Sequence, residues 1–155
     1  MVPALELPSG LTKSQFRRAG VGDRFTLKNV QFKIAPSGHD NTLATGADGG
    51  PAAAFFITFE NGFTVFFNGH STMIADLAIY ASVYQPEVAI LGLTEAAEFA
   101  QTARLIATNN PKLRIIIPSH MRPGAAIVDD ARQELANVGL GQLMTVPNLR
   151  TPYEY

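Results

Sequence analysis

Residues 55–72 read FFITFENGFTVFFNGHST, two apolar runs joined by Asn61-Gly62. Asn and Gly tolerate the positive φ values of a tight type I′ turn, so this pattern predicts a two-residue β-hairpin. Both arms are apolar nearly throughout, whereas a strand with one wet face alternates apolar and polar residues. We therefore expect both faces of these strands to be covered. The second arm leads into a polar turn, residues 68–71, at a strand end where α/β proteins commonly place functional residues.

The rest of the chain has the patterns of one α/β unit in which this hairpin leads into alternating helices and strands. Strands are predicted over residues 23–27, 29–35, 88–93, 113–117 and 142–146, and helices over residues 12–18, 73–84, 94–109 and 128–138. Ser71 or Thr72 is expected to cap the second of these helices and Thr94 the third, because hydroxyls bond the free N–H groups of a first turn. Gly139 is expected to follow the last helix as its C-terminal cap.

Composition excludes several classes of protein. The formal net charge is −1, so there is no electrostatic basis for binding nucleic acid or an anionic membrane. Cysteine is absent, which excludes disulfides and thiolate metal sites. The first residues lack the basic and apolar regions of a signal peptide, and no apolar run is long enough to span a membrane, so a cytoplasmic protein is expected. Only 16% of residues are charged, which indicates that another chain covers part of the surface.

The chain has three histidines, and each follows a predicted strand: His39, His70 and His120. If those strands lie side by side, their loops converge at one edge of the sheet. Three neutral imidazoles bind zinc or a similar divalent ion well and leave a position for water. Asp40, beside His39, is a candidate ligand, orienting group or catalytic base. The plainer interpretation is that each histidine is an ordinary loop residue, since their spacing has no local metal signature.

Weaker candidates are also polar residues of these loops. Asn68, Ser71 and Ser119 are possible substrate-binding residues, although Ser71 fits a helix cap equally well and Ser119 can simply satisfy its own loop. The glycine-rich residues 46–50 are not a phosphate-binding loop, because they precede a strand and contain no lysine. The sequence also lacks a G-x-S-x-G motif.

Several segments in order resemble the C-terminal half of metallo-β-lactamase-fold proteins, particularly the small metal-dependent hydrolases similar to ascorbate-6-phosphate lactonase. GDRFTL (22–27) and IAPSGH (34–39) resemble the segment with the third metal motif of that family, FENGFTVFFNGHS (59–71) the fourth, and IPSHM (117–121) the fifth. The resemblance implies that His39, His70 and His120 occupy metal positions. It also implies a single domain, residues 1–155, with a weakly patterned start (1–18), the family-like half (19–147) and a tail (148–155).

Two departures from the family pattern matter for function. The family usually has Gly-Asp-Thr in its fourth motif, where the carboxylate bridges two metals; here His70 takes that place, and an imidazole cannot bridge in the same way. The His-x-His-x-Asp-His motif of the N-terminal half of the family is absent from this sequence. The resemblance implies an αββα sandwich in which each half supplies one mixed sheet with helices on its outer face. The inner face of a lone half needs a cover, and a second copy related by a two-fold axis is the simplest one.

Three functions remain open at this point. The first is a metal-dependent hydrolase of small esters, lactones or phosphodiesters, with a divalent ion, most simply zinc, at the three histidines. The second is a non-catalytic half-domain that acts as a binding or assembly module. The third is a chain that needs a partner polypeptide to supply the other half.

Overall fold

The computed structural model describes residues 19–121 and 126–147. The predicted helix over residues 12–18 and the tail over residues 148–155 lie outside them. The elements are β1 (Arg24–Leu27), β2 (Val30–Pro36), β3 (Ala53–Thr58), β4 (Thr64–Phe67), α1 (Asp76–Tyr84), β5 (Val88–Gly92), α2 (Ala96–Thr108), β6 (Ile115–Ser119), α3 (Ile127–Asn137) and a 3-10 turn (Gly141–Leu143). None of the helices in the described residues is long and apolar enough to cross a membrane.

The six strands form one mixed sheet in the order β1-β2-β3-β4-β5-β6. The pairs from β1 to β4 are antiparallel, whereas β4, β5 and β6 are parallel neighbours. Strands β2, β4, β5 and β6 consequently run in the same direction, and their C-terminal ends meet at one edge. The predicted α/β fold with a mixed sheet is confirmed.

One face of the sheet packs against the helices. Cross-strand partners Phe56, Phe66, Ala89 and Ile116 form a continuous row on this face, and all four are buried. Their cover comes from side chains of the three helices, including Leu77, Phe99 and Leu135. Every strand residue of this buried core lies on the same face, as expected when both parallel connections have the usual right-handed crossover.

The opposite face of the sheet, which we call the apolar face, has two rows of apolar side chains that follow the strand register. The first row is Phe25, Phe32, Ile57, Val65, Val88 and Ile115, and the second is Ile34, Phe55, Phe67, Ile90 and Ile117. Ile34 and Val88 are buried, Phe67 is 38% exposed, and the others are half-buried. No side chain in either row is ionisable.

The turn predicted at Asn61-Gly62 is wrong in its type. Only Gly62 has a positive φ, +84°, whereas a type I′ turn requires positive values at both central residues. The Gly62 N–H donates to the Phe59 carbonyl and the Phe59 N–H to the Phe63 carbonyl, so the loop is a β-turn followed by a left-handed glycine. The tight two-residue turn is instead at Lys28-Asn29, with φ values of 47° and 66°, between the paired residues Leu27 and Val30.

The predicted N-terminal helix caps are also wrong, whereas Gly139 ends α3 with a φ of +80°, as predicted for its C-terminal cap. Helix α1 begins only at Asp76 and α2 follows Glu95, neither with a side-chain cap, so Ser71, Thr72 and Thr94 do not cap them. The hydroxyls of Ser71 and Thr72 bond the backbone of Gly38 instead.

The strand predicted over residues 142–146 is reduced to the 3-10 turn and one bridge between Met144 and Ile116. The chain turns back tightly there because Gly141 packs directly on Ala136 of α3, where a Cβ would lie 3.1 Å away.

Candidate functional site

The three histidines converge at the sheet edge where β2, β4 and β6 end, as the sequence predicts. His39 Nε2 lies 3.0 Å from His70 Nδ1, and the ring centroids of this pair are 4.8 Å apart. The rings of His70 and His120 are stacked, with centroids 4.2 Å apart and planes only 7° from parallel. All three side chains are exposed, so they form a surface cluster that is open to solvent.

Two glycines that are not among the predicted site residues, Gly38 and Gly92, make this approach possible. A Cβ on Gly38 would lie 2.5 Å from Thr72 Oγ1, and a Cβ on Gly92 would lie 2.6 Å from the Gly69 carbonyl oxygen. Gly38 and Thr72 form an isolated bridge, and the Gly38 N–H donates to Ser71 Oγ at 2.9 Å. The loop before His39 is therefore fastened to the loop after His70. The signal in the sequence is a glycine at the end of a strand, as at Gly92, or two residues after it, as at Gly38.

A hydrogen-bond chain fixes the orientation and tautomers of His39 and His70. Asn41 Nδ2 donates to the Gly50 carbonyl at 3.2 Å, which turns Asn41 Oδ1 toward His39 Nδ1, also at 3.2 Å. His39 Nδ1 must then carry the proton, since an amide oxygen only accepts. His39 Nε2 is left as the acceptor for the proton on His70 Nδ1. A donor bond from one imidazole nitrogen that leaves the other free is the usual support of a metal-binding histidine.

The environment of His70 favours its neutral form. Partial desolvation by the neighbouring groups lowers the pKa of His70 first, and the nearby charges of His120 and His39 lower it further. A neutral imidazole is the form that binds a metal ion. The direction of this pKa change is therefore the one that a ligand histidine requires.

The donor types fit a divalent ion, but the rings do not surround one position as they stand. Nitrogens that bind the same tetrahedral zinc ion lie roughly 3.3 Å apart, farther than the hydrogen-bonded His39 and His70. The in-plane lone pairs of His70 and His120 lie in nearly parallel, stacked planes, so they do not point at a common position. Within residues 19–121 and 126–147, no set of three or more His, Asp or Glu side chains is arranged to hold a metal ion. Rotation of His70 and His120 about their side-chain bonds is needed to aim them at a common point.

The other predicted site residues have more local roles. Asp40 Oδ1 accepts from the Thr42 N–H at 2.8 Å and the Thr42 hydroxyl at 2.6 Å, and these bonds, the hydroxyl first, keep the pKa of Asp40 below its usual value. Asn41, not Asp40, orients His39. The Ser71 hydroxyl is occupied by Gly38 and by the Thr72 carbonyl.

Asn68 and Ser119 lie on either side of the end of β5. Ser119 is half-buried and its carbonyl accepts from the Leu93 N–H. Asn68 is only 2% exposed and its Oδ1 accepts from the Gly92 N–H at 3.0 Å. It borders a cavity of about 300 Å³ beside the histidines, lined by Ser37, His39, Asn41, Ala52, Ala53, Asn68, Gly69 and His70. Of the predicted substrate-binding residues, only Asn68 lines this cavity.

Comparisons with known proteins agree with this fold. No family model matches the sequence. The chain is 27% identical over 103 residues to a UPF0173 metal-dependent hydrolase of Methanoculleus marisnigri, which covers 64% of this chain and 46% of that protein. Among solved structures, Igni18, a metallo hydrolase from Ignicoccus hospitalis, superposes with a TM-score of 0.63 at 18% identity, over 83% of this chain and 56% of that one.

A second solved structure carries the name of the fold. The metallo-β-lactamase fold protein YhfI from Bacillus subtilis superposes with a TM-score of 0.61 at 12% identity, over 83% of this chain and 51% of that chain. The chain thus spans about half the length of the proteins that it matches. The resemblance drawn from the sequence motifs is confirmed: this chain has the metallo-β-lactamase fold, over about half of the length of its relatives.

Proposed function

We propose that the histidine cluster binds one divalent metal ion, most simply zinc, as part of a metal-dependent hydrolase of small esters, lactones or phosphodiesters. The observation that carries the proposal is the convergence of His39, His70 and His120 at one sheet edge, with His39 oriented by Asn41. The names of the similar proteins, metal-dependent hydrolase and metallo hydrolase, support the same class.

Each residue of the cluster has a distinct part in this proposal. Asn41 holds the proton of His39 on Nδ1 and so leaves Nε2 for the ion. His70, held in its neutral form, would give up its bond to His39 to bind the ion, and His120 would leave its stack to provide a third nitrogen. An ion bound there would lower the pKa of a bound water and so supply the nucleophile.

The site that we propose holds one ion, in contrast to the dinuclear site of the family that the sequence resembles. His70 stands where that family has a bridging carboxylate, and each imidazole nitrogen has one lone pair for one metal. Among the described residues, Asp40 is the carboxylate nearest in sequence to the cluster, and its Oδ1 bonds Thr42. We infer that the group that accepts the catalytic proton comes from outside the described residues, for example from a second copy that packs against this one.

A second candidate is a non-catalytic binding or assembly module. It is favoured by the hydrogen bond between His39 and His70 and by the stacking of His70 on His120, because the imidazoles satisfy one another without an ion. The two candidates differ in whether the cluster binds metal at all.

Metal titration separates the two candidates. Protein purified without a histidine tag and stripped with chelator is titrated with Zn²⁺ in a calorimeter, and we expect one ion per chain. His70→Ala or His120→Ala should abolish that binding. Asn41→Ala should weaken it by about 10- to 100-fold, because the orienting partner of a metal histidine is lost. Asp40→Asn is the matched control and should bind like the wild type, since an amide oxygen can still accept from Thr42.

An absence of stoichiometric binding, with no change in melting temperature on adding Zn²⁺, supports the module and overturns the hydrolase. Stoichiometric binding that survives in both His70→Ala and His120→Ala places the ion elsewhere and also overturns the proposed site. Hydrolysis of a panel of small esters, lactones and phosphodiesters by the metal-loaded protein then tests the activity itself.

A further inference from the structure

Asn68 has an unusual arrangement for a buried asparagine. It follows β4 directly, its backbone N–H donates to the Ile90 carbonyl at 3.1 Å, and its side chain is 2% exposed. Its Oδ1 accepts the backbone N–H of Gly92 at 3.0 Å. Both contacts join the end of β4 to the end of β5, so the side chain is held firmly in place.

The Gly92 contact also decides which way the amide points. A backbone N–H can only donate, so the atom facing Gly92 must be the oxygen, and Nδ2 faces the other way. No described residue accepts a hydrogen bond from Nδ2. Among the described residues, however, no fully buried side-chain nitrogen or oxygen lacks a partner. Nδ2 must therefore reach the cavity that Asn68 lines together with His39 and His70.

A second buried asparagine shows the contrast. Asn110 is also 2% exposed, but its Nδ2 donates to the Pro86 carbonyl at 2.6 Å and its Oδ1 accepts from the Lys112 N–H at 3.0 Å. Both the oxygen and the nitrogen of the Asn110 amide thus bond to the backbone. In Asn68 the amide oxygen bonds the backbone of Gly92, whereas the amide nitrogen faces the cavity.

We propose that Asn68 Nδ2 is a substrate-binding donor that holds the carbonyl oxygen of an uncharged acyl compound, such as a lactone or ester, beside His39 and His70. The described residues that line the cavity include no lysine, arginine, aspartate or glutamate. Proteins commonly bind phosphoryl groups with arginine, lysine or a helix N-terminus, and a single amide donor suits a carbonyl better. The inference rests on the proposed hydrolase function for the identity of the substrate, and it narrows that function from phosphodiesters toward carbonyl compounds.

The test measures the asparagine amide directly, in metal-free protein and without turnover. ¹⁵N-labelled protein is titrated with γ-butyrolactone while the side-chain amide signals of Asn68 and Asn110 are followed by NMR. We expect the Asn68 signal to shift in a saturable way and the Asn110 signal to stay in place. Dimethyl phosphate, at the same concentrations, should shift Asn68 far less.

The isosteric variant Asn68→Asp completes the experiment, because its oxygen can still accept from Gly92 while the donor is lost. We expect its affinity for the lactone to fall by at least about threefold, the usual effect of one lost hydrogen bond. Backbone amide signals report whether the variant keeps its fold, and the wild-type titration remains decisive if it does not. The proposal is overturned if the lactone shifts His39 and His70 but leaves the Asn68 amide unmoved, if dimethyl phosphate shifts it equally, or if no saturable shift occurs. Loss of metal binding or of hydrolysis leaves this readout unchanged, so the two proposals fail separately.

Discussion

The side chain of His70 has neighbours that oppose its positive charge. Partial desolvation by the neighbouring groups, followed by the charges of His120 and His39, lowers its pKa. In chelator-treated protein we expect its imidazole to titrate below the ordinary value of about 6.5. In His120→Ala, the pKa of His70 should rise toward that value, because a stacked ring and a competing charge are both removed. NMR titration of the ring protons measures both values.

The lowered pKa of His70 also predicts how the free energy of unfolding depends on pH. The unfolded chain binds the His70 proton more tightly than the folded chain. The contribution of neutral His70 to the free energy of unfolding is therefore complete above the pKa that His70 has in the unfolded chain. This contribution is lost as the pH falls through the lower pKa that His70 has in the folded chain. Urea unfolding of the metal-free protein across that range should show less dependence on pH in His70→Ala than in the wild type. Equal dependence in the two proteins contradicts the prediction.

At the scale of single residues, the sequence predicts which histidines meet but not what holds them. Each histidine follows a strand, and strands that run in the same direction bring such residues to one edge. The choice between Asp40 and Asn41 as the partner of His39 depends on side-chain direction. The side chain of Asp40 accepts a hydrogen bond from the N–H of Thr42, two residues later, and the side chain of Asn41 donates to the Gly50 carbonyl. Neither contact has a periodic pattern that a sequence reveals.

At the scale of elements, the end of α1 is under conformational strain. Gln85 follows the last residue of the helix with φ of 43°, in the left-handed region, and its N–H donates to the Ala81 carbonyl. This conformation favours glycine, because a Cβ is crowded there. We expect Gln85→Gly to raise the free energy of unfolding by about 0.5–1 kcal/mol, measured by urea denaturation.

The matched control is Gln133→Gly, the same substitution at an exposed position inside α3. There the backbone is helical, so glycine should lower the free energy of unfolding by about 1 kcal/mol. Opposite signs for the two variants are the expected result. A loss of stability in both indicates that the side chain of Gln85 contributes more than its backbone strain costs.

Elements with strong periodicity are predictable from the sequence, whereas the turns and N-terminal caps between them are not. The inner face of α2, with Phe99, Ala103 and Ile106, is buried as its spacing predicts. The type of the Asn61-Gly62 turn is wrong because cross-strand pairing stops at Thr58 and Thr64 and leaves a longer loop. Turn type depends on where pairing stops, and that position is set by packing across the whole sheet.

At the scale of the whole molecule, the apolar face is the surface through which we expect this chain to associate with another chain. Its two rows contain no ionisable side chain, and in the described residues the buried core with the helices lies on the other face. A surface without charges meets no like-charge repulsion from an identical surface turned by a two-fold axis. The low charged fraction of 16% is consistent with such a contact. We therefore expect two copies to pack face to face as a homodimer.

Light scattering at micromolar concentration tests this expectation with two variants of the same chemistry. Ile57 lies in a row of the apolar face, so Ile57→Lys should bring a charge into the interface and convert the dimer to a folded monomer. Ile79, which is 66% exposed on α1, lies on the helical side of the molecule, so Ile79→Lys should leave the dimer intact. A wild-type monomer excludes the homodimer, and the apolar face is then left for a different polypeptide that supplies the other half of the fold. Dissociation by Ile79→Lys but not by Ile57→Lys places the interface on the helices instead.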